Sequence, residues 1–320
     1  MPLVEPHRAL ERNLAIGIHS VQRKYIRRLM PRKSLRRALH DLNARGRLAL
    51  FMGAGVSMGC GLPSWEELIR RVLNEVWKHD PQLVDVLMAE RNILAARHAK
   101  AKASTAFNRI VHKCLYENDI SLSPCVEAIA RSGIRHICNF NFDDLVEEAL
   151  LANGIEPVVA TPGENFESKH DRITVFHPSG MLPRFDRAAE LDGARIVFSE
   201  DDYHNLYSDP YSWANVAQLA LLTGFSVLFI GLSMQDPNLR RLIDVSRSRG
   251  FRNQHFAIFR DPTKGVDKSK RTQQTRLRKM IELDMKSLGV TAWFVDDHGK
   301  VAEIIRSISV PYDGEAESEG

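Results

Sequence analysis

The stretch Phe51-Met52-Gly53-Ala54-Gly55-Val56-Ser57 decides how this chain folds. It begins within the apolar run 48–52, which glycines close and which therefore predicts a buried strand. Glycine has no side chain, so the main chain can turn sharply there and come close to a bound phosphate. Backbone N–H groups left free after such a strand can bind the anion, and a serine hydroxyl adds a donor. The predicted phosphate-holding residues are Gly53, Ala54, Gly55 and Ser57, and the alternative is an ordinary tight turn.

Short apolar runs alternate with helical periodicity along most of the chain. The predicted strands are 48–52, 136–140, 157–160, 173–176, 195–198, 226–231, 255–259 and 291–295. Strands that alternate with helices imply a mostly parallel sheet, with helices covering both of its faces. The sequence therefore predicts an α/β fold with a doubly wound, mostly parallel, Rossmann-like sheet.

The predicted domain organisation has three parts. Residues 1–47 are densely basic and form a predicted N-terminal helical arm, which Pro31 divides and whose second helix covers 34–43. Residues 48–310 form the sheet domain, with a helical insertion over about 64–131 that opens on a capping box from Ser64 to Glu67. Residues 311–320 form an acidic tail that is predicted to be disordered.

Composition excludes several protein classes. The 320 residues are 44% hydrophobic with a net charge of +4, which supports a full core and implies nothing about nucleic acid. The sequence has no apolar run near the roughly 20 residues of a membrane span and no signal peptide. Its four cysteines form no C-x-x-C pair, so we expect no metal site of the zinc-ribbon type. Scattered thiols suit a reducing compartment, and we expect a cytoplasmic protein.

Three further polar segments follow predicted strands. In doubly wound sheets, ligands bind at the carboxyl ends of the strands. The segments are 139–144 with Asn141 and Asp143, 176–180 with His177, and 229–238 with Gly231, Ser233 and Asn238.

Each of these segments has a structural alternative. The amides and carboxylates of 139–144 are costly to bury unless something uses them, but Asp143 can simply cap the next helix. An imidazole at a strand end can act as a base near neutral pH, although a lone histidine is more often structural. Asp236 can cap the helix that Pro237 begins. The presence of such clusters at four strand ends favours one shared ligand site.

The four segments, in this order, resemble the sirtuin-like domain. The resemblance is to the divergent prokaryotic branch that hydrolyses NAD in antiphage defence, and it spans about residues 45–310. The first segment resembles the family's G-A-G-[VI]-S, and Cys138-Asn139-Phe140-Asn141-Phe142-Asp143 resembles its T-x-N-[YF]-D motif. Residues 227–238 resemble its [LV]-[FV]-[IV]-G-[YF]-S-x-x-D-x-N segment, and Ser199-Glu200-Asp201-Asp202-Tyr203 resembles an acidic stretch common in that branch.

The resemblance implies that NAD is the substrate and assigns roles to the candidate residues. The first loop would hold the pyrophosphate and the adjacent ribose. Asn141 would place water or a ribose hydroxyl at the nicotinamide ribose, and Asp143 would meet the nicotinamide end. The adenosine side would be lined by Gly231, Ser233 and Asn238. Nicotinamide would leave through an oxocarbenium-like state that water captures, with positioning and electrostatics doing most of the work.

The chain departs from the family in two places. Sirtuins usually bind zinc through two C-x-x-C pairs, which this chain lacks; the prokaryotic branch commonly lacks them too, which favours NAD hydrolysis without zinc. The family's catalytic histidine directly precedes a glycine, but strict alignment of His177-Pro178-Ser179-Gly180 puts Ser179 there. A serine cannot act as a base near pH 7 without an activator. Either His177 acts in its place, or the site is weak, or it binds NAD without turnover.

Three functions follow as hypotheses. The first is an NAD glycohydrolase that depletes NAD in antiphage defence, controlled by homo-oligomerisation or by a partner, for which stand-alone members suggest a HerA-type ATPase. The second is a non-catalytic NAD-binding or assembly module. The third is nucleic-acid processing, for which the basic segments 23–37 and 268–286 are the motive.

Overall fold

A computed structural model describes residues 32–89, 92–163, 172–185, 188–248, 250 and 253–312. Its centre is a sheet of seven strands in the order β3-β4-β2-β1-β5-β6-β7. The strands are β1 (Leu48–Met52), β2 (His136–Asn139), β3 (Val158–Ala160), β4 (Thr174–Phe176), β5 (Ser226–Ile230), β6 (His255–Arg260) and β7 (Val290–Val295). Every neighbouring pair runs parallel.

Helices surround the sheet in the described part of the chain. They are α1 (Arg32–Ala44), α2 (Ala54–Ser57), α3 (Trp65–Val76), α4 (Pro81–Ala89), α5 (Asn92–Ala103), α6 (Phe107–Leu115), α7 (Pro124–Ala130), α8 (Leu145–Ala152), α9 (Ala188–Gly193), α10 (Glu200–Ser208), α11 (Trp213–Gly224), α12 (Pro237–Ser248), α13 (Lys268–Ser287) and α14 (Gly299–Ile308), with 3₁₀ turns at Met58–Cys60 and Ser104–Ala106. The predicted α/β class with a doubly wound parallel sheet is confirmed.

The central strand β1 has a core on each of its two faces. Its five residues are all buried, because side chains alternate between the faces and helices cover both. Leu48, Leu50 and Met52 enter the larger core, which includes residues of α1, α3, α5 to α8 and α14. Ala49 and Phe51 enter the smaller core with residues of α11, α12 and α13. This two-sided burial explains why β1 is a continuous apolar run.

One local prediction was wrong. Residues 195–198 were expected to form a strand, but they join no sheet; Val197 N–H donates to the carbonyl of Ser179, and Phe198 packs against Trp65 and Phe107. Phe198 is the one residue of this segment that is fully buried, and it is buried by aromatic packing. After β1, the one-turn helix α2 starts directly at Ala54.

The predicted second helix of the basic arm is observed as α1. Leu35 and Leu39 of α1 are buried in the larger core. The amide of Asn43 donates to the carbonyls of Ser132 and Ile308, at 2.8 and 2.9 Å, and so ties the end of α1 to two distant segments. The first part of the predicted arm, residues 1–31, lies outside the described residues, as do 313–320 of the acidic tail.

The predicted capping box at Ser64 forms on one side. The Ser64 hydroxyl accepts from the N–H of Glu67, while the Glu67 carboxylate pairs with Arg71 one turn later. Between 64 and 131 the described residues are helices and connections, with no strand. Within the described ranges, no helix is long and apolar enough to cross a membrane.

Candidate functional site

A cavity of about 580 Å³ opens at the carboxyl ends of the central strands. It lies where the strand order reverses, because β1 has β2 on one side and β5 on the other. Eight of the ten predicted site residues line it: Gly53, Ala54, Ser57, Asn141, Asp143, Gly231, Ser233 and Asn238. The structure thus brings together segments from the ends of β1, β2 and β5, and Ser179, beyond β4, completes this part of the wall.

The glycines of the first loop serve mainly to lock it to the loop after β5. Gly53 N–H donates to the carbonyl of Ile230 at 3.1 Å, and Gly55 N–H donates to the carbonyl of Gly231 at 3.0 Å. These two N–H groups are therefore already paired and are not free for a phosphate. A Cβ on Gly55 would lie 2.9 Å from the Gly231 Cα, so a side chain there would force the two loops apart.

Gly231 is the matching half of this contact. Its φ is +63°, in the left-handed region that favours glycine. A Cβ there would lie 2.7 Å from the Val56 nitrogen and 2.9 Å from the Gly53 oxygen. The glycines on the two loops are therefore required for close backbone approach, and this approach shapes the cavity floor.

A chain of hydrogen bonds joins three predicted site residues across the cavity. The Asn141 amide donates to the Ser57 hydroxyl at 2.7 Å. The Ser57 hydroxyl in turn bonds the Asp143 carboxyl group. Because β1 and β2 are neighbours, the loops that follow them meet at one edge of the sheet. Asn141 is half-buried and faces the cavity, so its amide is available to a ligand.

Asp143 is 1% exposed yet belongs to the cavity wall. Burial raises the pKa of its carboxyl group to about 6, while the Ser57 hydrogen bond opposes that rise and Glu147 adds to it. Its carboxyl oxygen also accepts from the N–H of Leu145, at 3.4 Å, near the start of α8. The structural alternative, in which Asp143 caps the next helix, therefore describes part of its role. A carboxyl group that titrates near neutral pH inside a cavity is a feature of functional sites.

His177 lies apart from the cavity wall and is paired inside the protein. Its side chain is 0% exposed, and its Nε2 lies 2.6 Å from Oε1 of Glu147. Its Nδ1 lies 3.2 Å from the Asn141 carbonyl, which can only accept, so Nδ1 carries a hydrogen and donates. His177 therefore contacts the backbone of Asn141 while Glu147 orients the ring.

Electrostatics favour a charged His177. Burial alone lowers its pKa, but the Glu147 carboxylate outweighs burial and raises the pKa of His177 above its ordinary value. Sequence reasoning missed Glu147. The available signal was its spacing of four residues from Asp143, which places both near the start of one helix on one face.

Ser179 lies in the cavity wall beyond β4. Its carbonyl accepts from Val197 N–H at 2.8 Å, which fixes the backbone of this turn. Gly180 follows with a φ of +83°, and a Cβ there would lie 1.9 Å from the Arg195 oxygen. The turn 177–180 is therefore rigid, so that Ser179 faces the cavity while His177 faces the interior.

The predicted adenosine side is built around Asn238 at the start of α12. Its amide donates to Asn215 Oδ1 at 2.9 Å, and its own oxygen accepts from Arg241 at 2.7 Å. The Ser233 hydroxyl accepts from Gln235 N–H at 3.3 Å and is exposed at the cavity edge. Asn238 is 3% exposed, so it mainly fixes how α11 and α12 meet at the wall.

The helical layer closes the cavity from the other side. Trp65 of α3 lines it and packs on Phe198 and Phe142, with ring centroids 4.9 and 6.3 Å away. Helix α10 adds Glu200, Tyr203 and His204 to the wall. Lys100 of α5 holds α10 in place through ion pairs with Asp201 and Asp202, at 3.1 and 2.5 Å. The acidic stretch 199–203 thus joins the helical layer to the site.

The site offers amide, hydroxyl and carboxyl groups in a partly apolar cavity large enough for a nucleotide-sized ligand. Across the described ranges, no group of three or more His, Cys, Asp or Glu side chains is arranged to hold a metal ion. The arrangement can stabilise a developing positive charge through Asp143 and place a hydroxyl or water through Asn141.

Comparison with known proteins points to one family. Residues 135–282 match the model of the SIR2-like domain. The chain is 23% identical over 297 residues to NAD(+) hydrolase ThsA of Enterococcus faecium, covering 88% of this chain and 59% of that protein. It is 25% identical over 269 residues to NAD(+) hydrolase ThsA of Bacillus cereus (strain MSX-D12), covering 81% and 53%.

One further curated protein and one solved structure are similar to this chain. Defense-associated sirtuin 2 of Bacillus subtilis is 24% identical over 225 residues, covering 70% of this chain and 22% of that protein. A solved structure described as "Structural Basis for the Mechanism and Regulation of Sir2 Enzymes" covers 87% of this chain and 96% of its own, at 14% identity and a TM-score of 0.44. The chain spans about half the length of the ThsA relatives. The match of residues 135–282 to the SIR2-like domain and the similarity to the ThsA proteins confirm the sirtuin-like resemblance.

Proposed function

We propose that this chain is an NAD glycohydrolase that releases nicotinamide and ADP-ribose and depletes NAD in bacterial antiphage defence. The hydrogen-bonded chain of Asn141, Ser57 and Asp143 across the strand-end cavity carries this proposal. The relatives named NAD(+) hydrolase ThsA and defense-associated sirtuin support the substrate and the defence role.

In the proposed reaction, the bond between nicotinamide and its ribose breaks and the electron pair leaves with nicotinamide. The ionised Asp143 carboxylate stabilises the positive charge that develops on the ribose. Asn141 places the water whose oxygen forms the new bond, and its proton passes to solvent. Ala54 and Ser57, which line the cavity beside the first loop's glycines, hold the pyrophosphate and ribose, and Gly231, Ser233 and Asn238 line the adenosine side. The substrate is NAD, and no zinc takes part.

His177 acts in this proposal as a positioning residue. Its Nδ1 supports the Asn141 carbonyl, and its Nε2 is paired with Glu147, so neither nitrogen is free to receive a proton from water. The base that the family takes from histidine is thus not supplied by His177. Water capture of an oxocarbenium-like ribose needs positioning more than a strong base.

Control of such an activity falls to assembly or a partner. NAD depletion is toxic, so the enzyme must be restrained until it is triggered. We propose a cytoplasmic homo-oligomer with control by assembly, and a HerA-type ATPase is the candidate partner. The sequence resemblance to stand-alone members of the prokaryotic branch is the support for both.

The test is nicotinamide release from NAD by the purified full chain, with the Asn141→Ala variant beside it. We expect release from the wild type and a loss of at least a hundredfold in the variant, because Asn141 positions the reacting groups. Asn205→Ala, at an exposed position of α10, is the matched control and should keep the wild-type rate.

The second candidate is an NAD-binding module without turnover. One observation favours it: the side chain at the family's histidine position in the wall is Ser179, and His177 is occupied by Glu147. Tight NAD binding by calorimetry, with no nicotinamide release at any protein concentration, would support this module and exclude the hydrolase.

A further inference from the structure

One buried side chain in the cavity wall has an acceptor that the fold does not use. Five buried side-chain atoms of the described residues have no hydrogen-bond partner: His136 Nδ1, Glu147 Oε2, Glu148 Oε1, Thr174 Oγ1 and Gln218 Oε1. Of these residues, only Gln218 lines the cavity. It is 2% exposed, and leaving a buried acceptor unpaired is unfavourable enough to need an explanation.

The orientation of the Gln218 amide follows from its other partner. Its Nε2 donates to the Ala214 carbonyl, one turn earlier in α11, at 3.0 Å. A carbonyl can only accept, so the nitrogen must face Ala214 and the oxygen must face away from it. Gln218 therefore offers an acceptor and keeps its donor occupied.

Gln218 lies on the side of the cavity that we assign to adenosine. Asn215, one turn earlier on the same helix, accepts from the Asn238 amide at 2.9 Å. Leu206 and Leu239 line the wall near this pair, since the Leu206 carbonyl accepts from Asn215 and Leu239 follows Asn238. Apolar side chains with one acceptor suit a planar base that carries an N–H donor.

We propose that Gln218 Oε1 accepts a hydrogen bond from the 6-amino group of adenine and makes the site selective for adenine over 6-oxo purines. This inference rests on the proposed function for the placing of the adenosine end. The oxygen of a 6-oxo purine is itself an acceptor and cannot donate to Gln218 Oε1, so the buried oxygen would stay unpaired. This disfavours the binding of hypoxanthine and guanine dinucleotides.

The experiment compares binding of ADP-ribose with binding of its hypoxanthine analogue, measured by calorimetry on the full chain. The wild type should bind ADP-ribose at least tenfold more tightly. Gln218→Met, which keeps the length of the side chain and removes the acceptor, should reduce that ratio to about twofold or less. Gln273→Met, at an exposed position of α13, is the matched control and should keep the wild-type ratio.

Equal binding of the two ligands by the wild type overturns the proposal without any variant. An unchanged ratio in Gln218→Met overturns it too and indicates that a buried water satisfies the oxygen. An ADP-ribose analogue that lacks the 2′-hydroxyl of the adenosine ribose tests whether that hydroxyl, and not the 6-amino group, donates to Gln218. If this analogue alone binds more weakly than ADP-ribose, the amino group is not the partner. Nicotinamide release is measured separately, so a chain that binds selectively without turnover sinks the hydrolase and leaves this inference standing.

Discussion

The Nε2 atom of His177 lies 2.6 Å from Oε1 of Glu147, in a position where the two side chains are 0% and 7% exposed. The pair joins the end of β4 to α8, and His177 extends the contact to the carbonyl of Asn141. A buried pair of this kind is costly to break, because the remaining partner is left uncompensated. The pair therefore couples the stability of the fold to the position of the candidate catalytic amide.

Replacing Glu147 with glutamine should damage both properties. The change removes the charge opposite His177, and we expect the free energy of unfolding to fall by about 3 kcal/mol at neutral pH. The kcat for nicotinamide release should fall at least tenfold with KM nearly unchanged, because Asn141 is displaced while the binding groups remain. Urea unfolding and steady-state kinetics measure the two effects. Glu303→Gln, at an exposed position of α14 whose partner is Lys300, is the control.

The same pair should show a characteristic pH dependence. The pKa of His177 is raised in the folded state by Glu147, so its contribution to stability is fully present below its ordinary pKa. That contribution is lost as the pH rises through the raised value. The difference in unfolding free energy between the wild type and Glu147→Gln should therefore shrink above neutral pH. A constant difference from pH 6 to 9 would contradict a charged His177.

Asp143 should set the acid limb of the pH–rate profile. Burial raises its pKa to about 6, and we propose that only the ionised form stabilises the ribose cation. The wild-type kcat should therefore rise between pH 5 and 7, roughly one unit on either side of this pKa, and level off above. Asp143→Asn should be slow and show no such limb. A wild-type rate that does not change over this range would remove Asp143 from the mechanism.

The raised pKa of Asp143 also predicts that the stability of the fold decreases with rising pH, whereas kcat increases. Its folded pKa lies above its ordinary value of 3.8, so ionisation is disfavoured in the folded state. Stability is lost as the pH rises from about 4 to about 6, by roughly 3 kcal/mol for a shift of about two units. The stability of Asp143→Asn relative to the wild type should therefore increase over that range. Guanidinium unfolding at pH 4 and pH 7 measures this change.

Comparing Gly231→Ala with Gly154→Ala should distinguish the cost of backbone strain from the cost of a steric clash. Gly231 has a φ of +63° and its Cβ would lie 2.7 Å from the Val56 nitrogen, whereas Gly154 has a φ of +75° with nothing within 4 Å. We expect Gly154→Ala to cost about 1 kcal/mol, the strain of the left-handed conformation alone. Gly231→Ala should cost clearly more and should weaken NAD binding, because the two loops must part. Equal costs for the two variants would mean that the close approach is unimportant.

Ser179→His should restore the side chain that the family places before the glycine. Ser179 lines the cavity on a rigid turn, so a histidine there would face the cavity. We expect kcat to increase several-fold at pH 7.5 and to acquire a dependence on a group with a pKa near 6.5. An unchanged rate with intact NAD binding would show that water capture is not limited by a base at this position.

Much of the fold follows from local patterns. The apolar run 48–52 and its glycines predicted β1 to the residue, and the other six strands of the sheet were predicted within about one residue. The segment 195–198 misled because an apolar side chain such as Phe198 can be buried by aromatic rings as well as by strand pairing. Neither alternative has a distinct local signature over so short a length.

The sequence by itself determined the doubly wound sheet and the four polar strand ends, because both depend on neighbours in the chain: the period of apolar residues and the freedom of glycine. Only the tertiary structure decided what these groups face. It assigned the Gly55 N–H to Gly231, turned His177 toward Glu147 and left the Gln218 oxygen unpaired in the wall. Such pairings join residues far apart in the chain, and hydrogen bonding depends on distances and directions that no local pattern encodes.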